Sequence, residues 1–354
     1  MSLYRDARAL DTGHGRLPNT MPHRDAELGE ISNALGVVES GGDPRPIRIT
    51  GPSGVGKTTL ARFAVERLKK QHPNVSEAFV DVMDSQTATT VLYQILLQLG
   101  RSSGVGFRDP APVLFEELSR VAEGDETCII ILDEVSRLDP DAHYLLRKLP
   151  NLPSVGVILV GQGLDSLFAE LDPGITSRYH RTPELSLDSY SVNELADILS
   201  ARARAAFADT DRIDEDAIEL MAEVAEGDAR TAINTLRSAA EHIRGEGDEI
   251  TVATVHQVAA EAREMTARDA YQSVDTDHRT VVRIVLNEPG LTGPQLHTRT
   301  QSELDREMSA RTHQRWVAYL TEKGLIEKHG KTKGATYHPT DVAAALSERI
   351  IPVI

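Results

Sequence analysis

Eight residues, Gly51-Pro52-Ser53-Gly54-Val55-Gly56-Lys57-Thr58, separate a short β-prone run, Ile47-Arg48-Ile49-Thr50, from a helical stretch over 58–70. They satisfy G-x-x-x-x-G-K-[ST] at every fixed position, with a strand before and a helix after. Glycines at this spacing let the backbone curl so that successive N–H groups converge on phosphate oxygens, and the helix start adds its dipole. Lys57 is placed to set a cation between β- and γ-phosphates. Thr58, followed by Thr59, offers a hydroxyl to Mg²⁺. A chain built around such a loop must also supply buried strands on either side of it.

Those strands are legible. Cys128-Ile129-Ile130-Ile131-Leu132 is an unbroken apolar run that ends in Asp133-Glu134. The spacing makes Asp133 a Mg²⁺ ligand through its water shell and Glu134 the group that polarises an attacking water. Phe79-Val80-Asp81-Val82 and Val155 to Val160 read as further strands, with helices predicted over 90–99, 113–122 and 142–149. Short, unalternating strands separated by helices imply a parallel sheet covered on both faces. After Pro183 the pattern is helical through 243, and another helix is expected over 252–265. A third block starts near Thr280. These shifts divide the chain into an α/β region (1–182), an all-helical region (183–268) and a C-terminal region (269–354). Residues 1–20 are polar, Pro/Gly-punctuated and aperiodic, and are expected to lie loosely on the surface.

Charge narrows the function classes. Thirty-eight Lys/Arg against 54 Asp/Glu give −16, which on its face disfavours a polyanionic partner. Yet only eight residues are lysines, and Lys323, Lys328, Lys331 and Lys333 fall within eleven positions. Between 279 and 338 the balance is +4, leaving −20 on the remainder. An acidic body with a basic tip points to phosphate recognition at that tip. Arginine over lysine on so acidic a chain is also the composition of a salt-loving organism. A single cysteine, Cys128, allows neither an internal disulfide nor a cysteine-based zinc cluster. No run of about 18 apolar residues exists to span a bilayer. MSLYRDARAL lacks a signal-peptide core, so a cytoplasmic, nucleoid-associated location with no membrane partner is expected.

The basic tip reads as three helices and a β-wing. On the third helix, expected over 309–323, Trp316, Val317 and Leu320 form a core face. Arg311, Gln314, Arg315 and Ala318 recur at i, i+3, i+4, i+7 on the other face. Arginine and glutamine suit bidentate hydrogen bonds to base edges in a major groove. Lys328, Lys331 and Lys333 on the following hairpin suit phosphate or minor-groove contact.

The motif order resembles the archaeal Orc1/Cdc6 initiators of the AAA+ superfamily, from about Asn19 to Tyr337. It is carried by PHRDAEL, GPSGVGKTT, IIILDEV, LDPGITSRY, SYSVNELADILSARA, EGDARTAINTLRSA and the C-terminal segment. The resemblance implies an AAA+ P-loop core, a helical lid and a winged helix. It also implies ATP/ADP and Mg²⁺ as cofactors, origin repeats in double-stranded DNA as ligand, and the MCM helicase as partner. Assembly on DNA with further copies or paralogues is implied as well. Arg230 in GDAR matches the lid arginine that reaches the γ-phosphate, Arg178 in TSRY an arginine finger, and Arg24 and Tyr190 positions near adenine. Two departures stand out. Gln162 replaces the family's usual asparagine, and Gly174 replaces a second arginine, so hydrolysis is expected to be slow. Arg101 and Arg108 flank the loop where the family carries a DNA-touching insertion. A transcriptional regulator with a structural ATP site and a transposition-type AAA+ ATPase remain alternatives at this stage.

Overall fold

A strand with apolar side chains on both faces needs cover on both, and Thr127–Asp133 is buried at every position. In the computed structural model, which describes residues 3–13, 16–36, 42, 44–179, 182–243, 249–330 and 334–344, this strand lies inside a five-stranded parallel sheet. The sheet and its helices form one compact unit, His14–Ser189. A second unit comprises Met1–Gly13 and Tyr190–Ile354. Among the described residues, no helix is long and apolar enough to cross a membrane.

The first unit runs α1 (Asp25–Leu35), β1 (Ile47–Thr50), α2 (Lys57–Gln71), β2 (Val75–Asp81), α3 (Ala88–Gln98), α4 (Ala111–Ala122), β3 (Thr127–Asp133), α5 (Tyr144–Lys148), β4 (Val155–Val160), α6 (Leu164–Glu170), α7 (Pro173–Tyr179) and β5 (Glu184–Ser186). Strand order is β2-β3-β4-β1-β5, and every neighbouring pair is parallel. All five carboxyl ends therefore share one edge, where open α/β sheets hold their ligands. Gly156 lets β4 pack closely, since a Cβ there would fall 2.7 Å from Ile129 Cδ1.

Three details differ from the sequence reading. β2 starts at Val75, because as the edge strand it is only partly covered and lacks a continuous apolar run. The helix expected over 142–149 shrinks to α5. It is bracketed by 3₁₀ turns at Pro140–Ala142 and Leu149–Asn151, whose prolines lack the N–H a continuous helix needs. β5 lies beyond residue 182 yet pairs with β1, so the sheet outruns the expected boundary. Its exposed-buried-exposed pattern over three residues carries no apolar signal.

In the second unit α8 (Val192–Ala206) starts at a Ser191–Glu194 capping box, α9 (Glu215–Val224) follows, and Asp228 caps α10 (Ala229–His242). α11 (Val252–Gln272) continues past the expected end at 265 and across the 268/269 boundary, because no glycine or proline interrupts it. Residues 3–13 of the N-terminal segment are not loose. Ala7–Leu10 forms a 3₁₀ turn capped by Asp6, and Leu10 is buried. Arg202 donates to the Ala9 carbonyl at 2.9 Å, and the Thr12 hydroxyl donates to Asn234 at 3.3 Å. Two apolar residues were too few to signal this docking.

The chain then forms α12 (Thr276–Asn287), β6 (Leu291–Thr292), α13 (Gly293–Leu304), α14 (Ala310–Glu322), β7 (Ile326–His329), β8 (Thr336–Pro339) and α15 (Asp341–Ala344). The antiparallel order β6-β8-β7 completes a helix-turn-helix with a wing. α12 begins four residues before Thr280 because Asp275 caps it, accepting from His278 N at 2.9 Å. Burial works against the Asp275 carboxylate, but hydrogen bonds from His278 outweigh it and hold the carboxyl at about 2. Val317 and Leu320 are buried as expected, whereas Trp316 is half-buried and Tyr319 takes its place in the core. The ring of buried His278 lies 4.9 Å from Trp316 and 5.1 Å from Tyr319.

His313 is also buried, its Nε2 3.2 Å from Thr300 Oγ1. Burial first, and the adjacent His297 ring second, pull its imidazole from 6.5 down to about 4. The unfolded chain thus binds this proton at higher pH than the folded chain does. The stability contributed by neutral His313 is complete above 6.5 and is lost as pH falls towards 4. Melting curves at pH 7.5 and pH 4.5 should show a larger drop in Tm for the wild type than for His313→Gln. Equal drops would contradict this assignment.

Candidate functional site

Because β1 and β3 flank β4, the loops after these three strands meet at one edge of the sheet. The loop after β1 uses positive φ at Gly51 (145°), Gly54 (75°) and Gly56 (83°), a region open to glycine without cost. Gly51 has a second reason to be glycine. A Cβ there would stand 2.3 Å from the Leu187 carbonyl oxygen. Val55 is buried beneath the loop, Pro52 faces solvent, and Ser53 is half-buried. α2 begins at Gly56 with no side-chain cap and no acidic residue in its first turn. The N–H groups of that turn, from Lys57, Thr58 and Thr59, have no intrahelical acceptors and suit an anion.

Lys57 is buried, and its ammonium donates to the carbonyls of Gly51 (2.9 Å) and Pro52 (2.6 Å). The Thr58 hydroxyl donates to Asp133 Oδ2 at 2.8 Å, joining the ends of β1 and β3. Asp133 is buried and accepts from the Glu134 N–H on its other oxygen at 3.0 Å. Glu134 sits at φ 52°, an uncommon setting for a non-glycine residue that turns the chain into the Val135–Arg137 3₁₀ segment. Gln162, half-buried, follows β4 two residues past its end. The spacing in sequence therefore becomes proximity at one edge for Gly51–Thr59, Asp133, Glu134 and Gln162.

These residues fit a Mg²⁺-bound polyphosphate. A hydroxyl and a carboxylate 2.8 Å apart form a hard-oxygen pair. Mg²⁺ in phosphate sites takes only one or two protein oxygens, so the donor set suffices. Among the described residues, no cluster of three or more His, Cys, Asp or Glu side chains suggests a different metal centre.

Arg24 is buried beside the loop. It pairs with Glu27 at 3.0 Å and points a second nitrogen at the carbonyls of Val55 and Asp188, each 3.5 Å away. The roles of the Asp188 carbonyl and of Leu187 were not legible, since main-chain contacts leave no residue-type signal. Tyr190 is buried in the second unit, its N–H bonded to Gly227 O at 3.2 Å. Arg230, half-buried, occupies the first turn of α10. Within that unit it lies in the field of Asp269 on α11, whose carboxyl is raised by partial burial and pulled back by Arg230, Arg237 and Arg268. Arg178 belongs to α7, but its side chain lies outside the described residues.

On α14, Arg311, Gln314 and Ala318 are exposed and Arg315 is half-buried, so the predicted reading face is a solvent face. Ser309 caps the helix, accepting from Thr312 N at 3.1 Å. Lys328 is exposed on β7, while Lys331 and Lys333 lie outside the described residues. Arg101 and Arg108 are both exposed on the loop between α3 and α4, and Arg101 pairs with Glu126 at 3.3 Å.

Comparison with known proteins follows the same division. A family model described as an AAA domain matches residues 42–167, and one described as a Cdc6 AAA+ ATPase-type lid domain matches 196–260. The chain is 32% identical over 346 residues to ORC1-type DNA replication protein 9 of Halobacterium salinarum, covering 97% of this chain and 95% of that protein. ORC1-type DNA replication protein 1 of the same organism is 32% identical over 297 residues, covering 83% and 93%. The fold is similar to that of the Aeropyrum pernix ORC1 protein solved in complex with DNA. The TM-score is 0.74 at 23% identity, over 98% of this chain and 97% of that one.

Close approach at Gly51 predicts a large asymmetry between glycines. Gly51→Ala should destabilise the chain by roughly 1–3 kcal/mol in chemical denaturation, through both φ and the Leu187 carbonyl. Gly104→Ala, with open space around the position, should change stability by no more than about 0.5 kcal/mol.

Proposed function

The chain belongs to the ORC1-type DNA replication protein family, and from that premise we propose that it is an ATP-binding replication initiator for origin DNA. The observation that carries the nucleotide half is the Thr58–Asp133 hydrogen bond beside a glycine loop holding a buried lysine. ATP with Mg²⁺, when bound, supplies the phosphate charge to be neutralised and the bond whose hydrolysis resets the protein. Lys57 would exchange the carbonyls of Gly51 and Pro52 for phosphate oxygens, and Thr58 and Asp133 would hold the metal. Glu134 takes a proton from water that Gln162 helps to orient. Arg24 and Tyr190 contribute to adenine recognition, and Arg230 serves as the lid arginine for the γ-phosphate. Arg178 acts on a neighbouring copy's nucleotide where copies or paralogues assemble.

The DNA half rests on α14. Arg311, Gln314 and Arg315 read base edges, while Lys328, Lys331, Lys333, Arg101 and Arg108 meet phosphate or the minor groove. The nucleotide state then governs how the DNA-bound chain recruits MCM helicase, through a two-state equilibrium that ATP and ADP bias differently.

Two measurements test this reading. Lys57→Ala should abolish retention of adenine nucleotide, while Glu134→Gln should retain it and slow hydrolysis at least tenfold. Retention by Lys57→Ala would remove the proposed site. In binding titrations, Arg315→Ala should cost about 1–3 kcal/mol on an origin repeat and relax specificity. Lys328→Ala should weaken all duplexes alike and lower the salt slope by about one. A chain whose Arg315→Ala variant binds and discriminates as the wild type does is not reading DNA with α14.

A further inference from the structure

The first unit holds a cleft of about 820 Å³ beside the stretch of α2 from Arg62 to Lys70. One wall is the segment 16–22 and the other is the face of α2 carrying Arg62, Phe63, Glu66, Arg67 and Lys70. Leu17, Met21, Leu28 and Phe63 contribute apolar side chains to its lining. Four cations line it, Arg16, Arg62, Arg67 and Lys70, against two carboxylates, Asp25 and Glu66. On a chain of net charge −16 with eight lysines, a net-positive cleft is a local reversal of sign. Arg62 is engaged with Glu77 at 3.7 Å, and Glu66 with Lys69 at 3.5 Å and Lys70 at 3.7 Å. Arg67 is exposed and makes no ion pair with a described residue.

A second observation concerns the main chain. Segment 16–22 is neither helix nor strand, with a bend at Asn19 and a turn that begins at Pro22. Among the described residues, no hydrogen bond ties Leu17, Asn19, Thr20 or Met21 to the rest of the chain.

We propose that this cleft docks an extended acidic peptide of a partner protein, with apolar side chains alternating with its carboxylates. Main-chain hydrogen bonds to 17–21 supply affinity, apolar side chains enter between Met21 and Phe63, and carboxylates meet Arg67, Lys70 and Arg16. The length agrees. From Arg62 to Lys70 the helix rises about 12 Å, which about four extended residues span. A nucleic-acid strand fits less well. Phe63 is the only aromatic among the lining residues, and two carboxylates interrupt what would have to be a continuous phosphate track.

The test uses the full chain and a fluorescein-labelled octapeptide of alternating aspartate and leucine, at constant salt and with saturating ATP. Saturable binding is expected, weakened at least tenfold in the Arg67→Glu/Lys70→Glu variant. Both side chains are exposed, so the fold should survive their replacement. Arg120→Glu/Arg147→Glu, the same charge change at exposed positions of α4 and α5, should bind within twofold of the wild type. Three results would each overturn the proposal: unchanged binding by the double variant, at least tenfold tighter binding of the peptide without ATP than at saturating ATP, or tighter binding of a thymidine octanucleotide than of the peptide. Failure of ATP binding itself is read separately on the Lys57→Ala variant, so the two readings stand or fall independently.

Discussion

The hydrogen bond from Thr58 to Asp133 ties together residues 75 positions apart in the chain. It exists because a parallel sheet with order β2-β3-β4-β1-β5 brings the carboxyl ends of β1 and β3 to one edge, one strand apart. Everything that makes the edge reactive depends on that placement. A hydroxyl and a carboxylate at 2.8 Å form a cation site only if the glycine loop delivers Thr58 at the first turn of α2. The loop can do so only with positive φ at Gly51, Gly54 and Gly56. The fold and the chemistry are set by the same constraint.

Glu134 shows how that edge is kept ready. A non-glycine residue in the left-handed region costs on the order of 1–3 kcal/mol and persists where surrounding structure over-determines it. Here the preceding strand is buried throughout, and Asp133 accepts from the Glu134 N–H. The backbone is thereby pinned between the Asp133 carboxylate and the 3₁₀ turn that follows. The cost of the turn is offset by the core of β3, and Glu134 is held directly after Asp133 at the edge of the sheet that carries the glycine loop.

What could be read from sequence divides along physical lines. The phosphate loop, β1, β4 and the acidic end of β3 were legible because each is a local pattern: glycine spacing, an apolar run, a terminal acid. α14 was legible because its two faces differ in polarity at helical period. The docking of residues 3–13, the strand β5 and the polar core of the C-terminal module were not. Leu10 is one buried side chain, and β5 is three residues long with one buried. His278 is paired with Asp275, the cap of its own helix, and His313 with Thr300 on the neighbouring helix, partnerships that hydropathy does not encode. The phosphate side of the candidate site was thus nearly complete in sequence. The contacts supporting it through main-chain carbonyls, those of Leu187, Val55 and Asp188, were absent from it.

The charge distribution gives the last step. A net −16 repels nucleic acid at long range, and that field is largely screened beyond about 8 Å at physiological ionic strength. Recognition must then be short-range. Phosphate contacts from a few lysines gain through counterion release, and that gain shrinks as salt rises. In the proposed function, hydrogen bonds from Arg311, Gln314 and Arg315 to base edges depend on geometry and are far less affected. Four of eight lysines fall within residues 323–333, while Arg311 and Gln314 are exposed on α14, so the proposal divides the work into two tasks. On that proposal the lysines set the chain on a duplex and the helix decides which duplex it stays on. The acidic remainder would then weaken retention everywhere else, so that specificity would arise from the contrast between the two charge regions as well as from the contacts themselves.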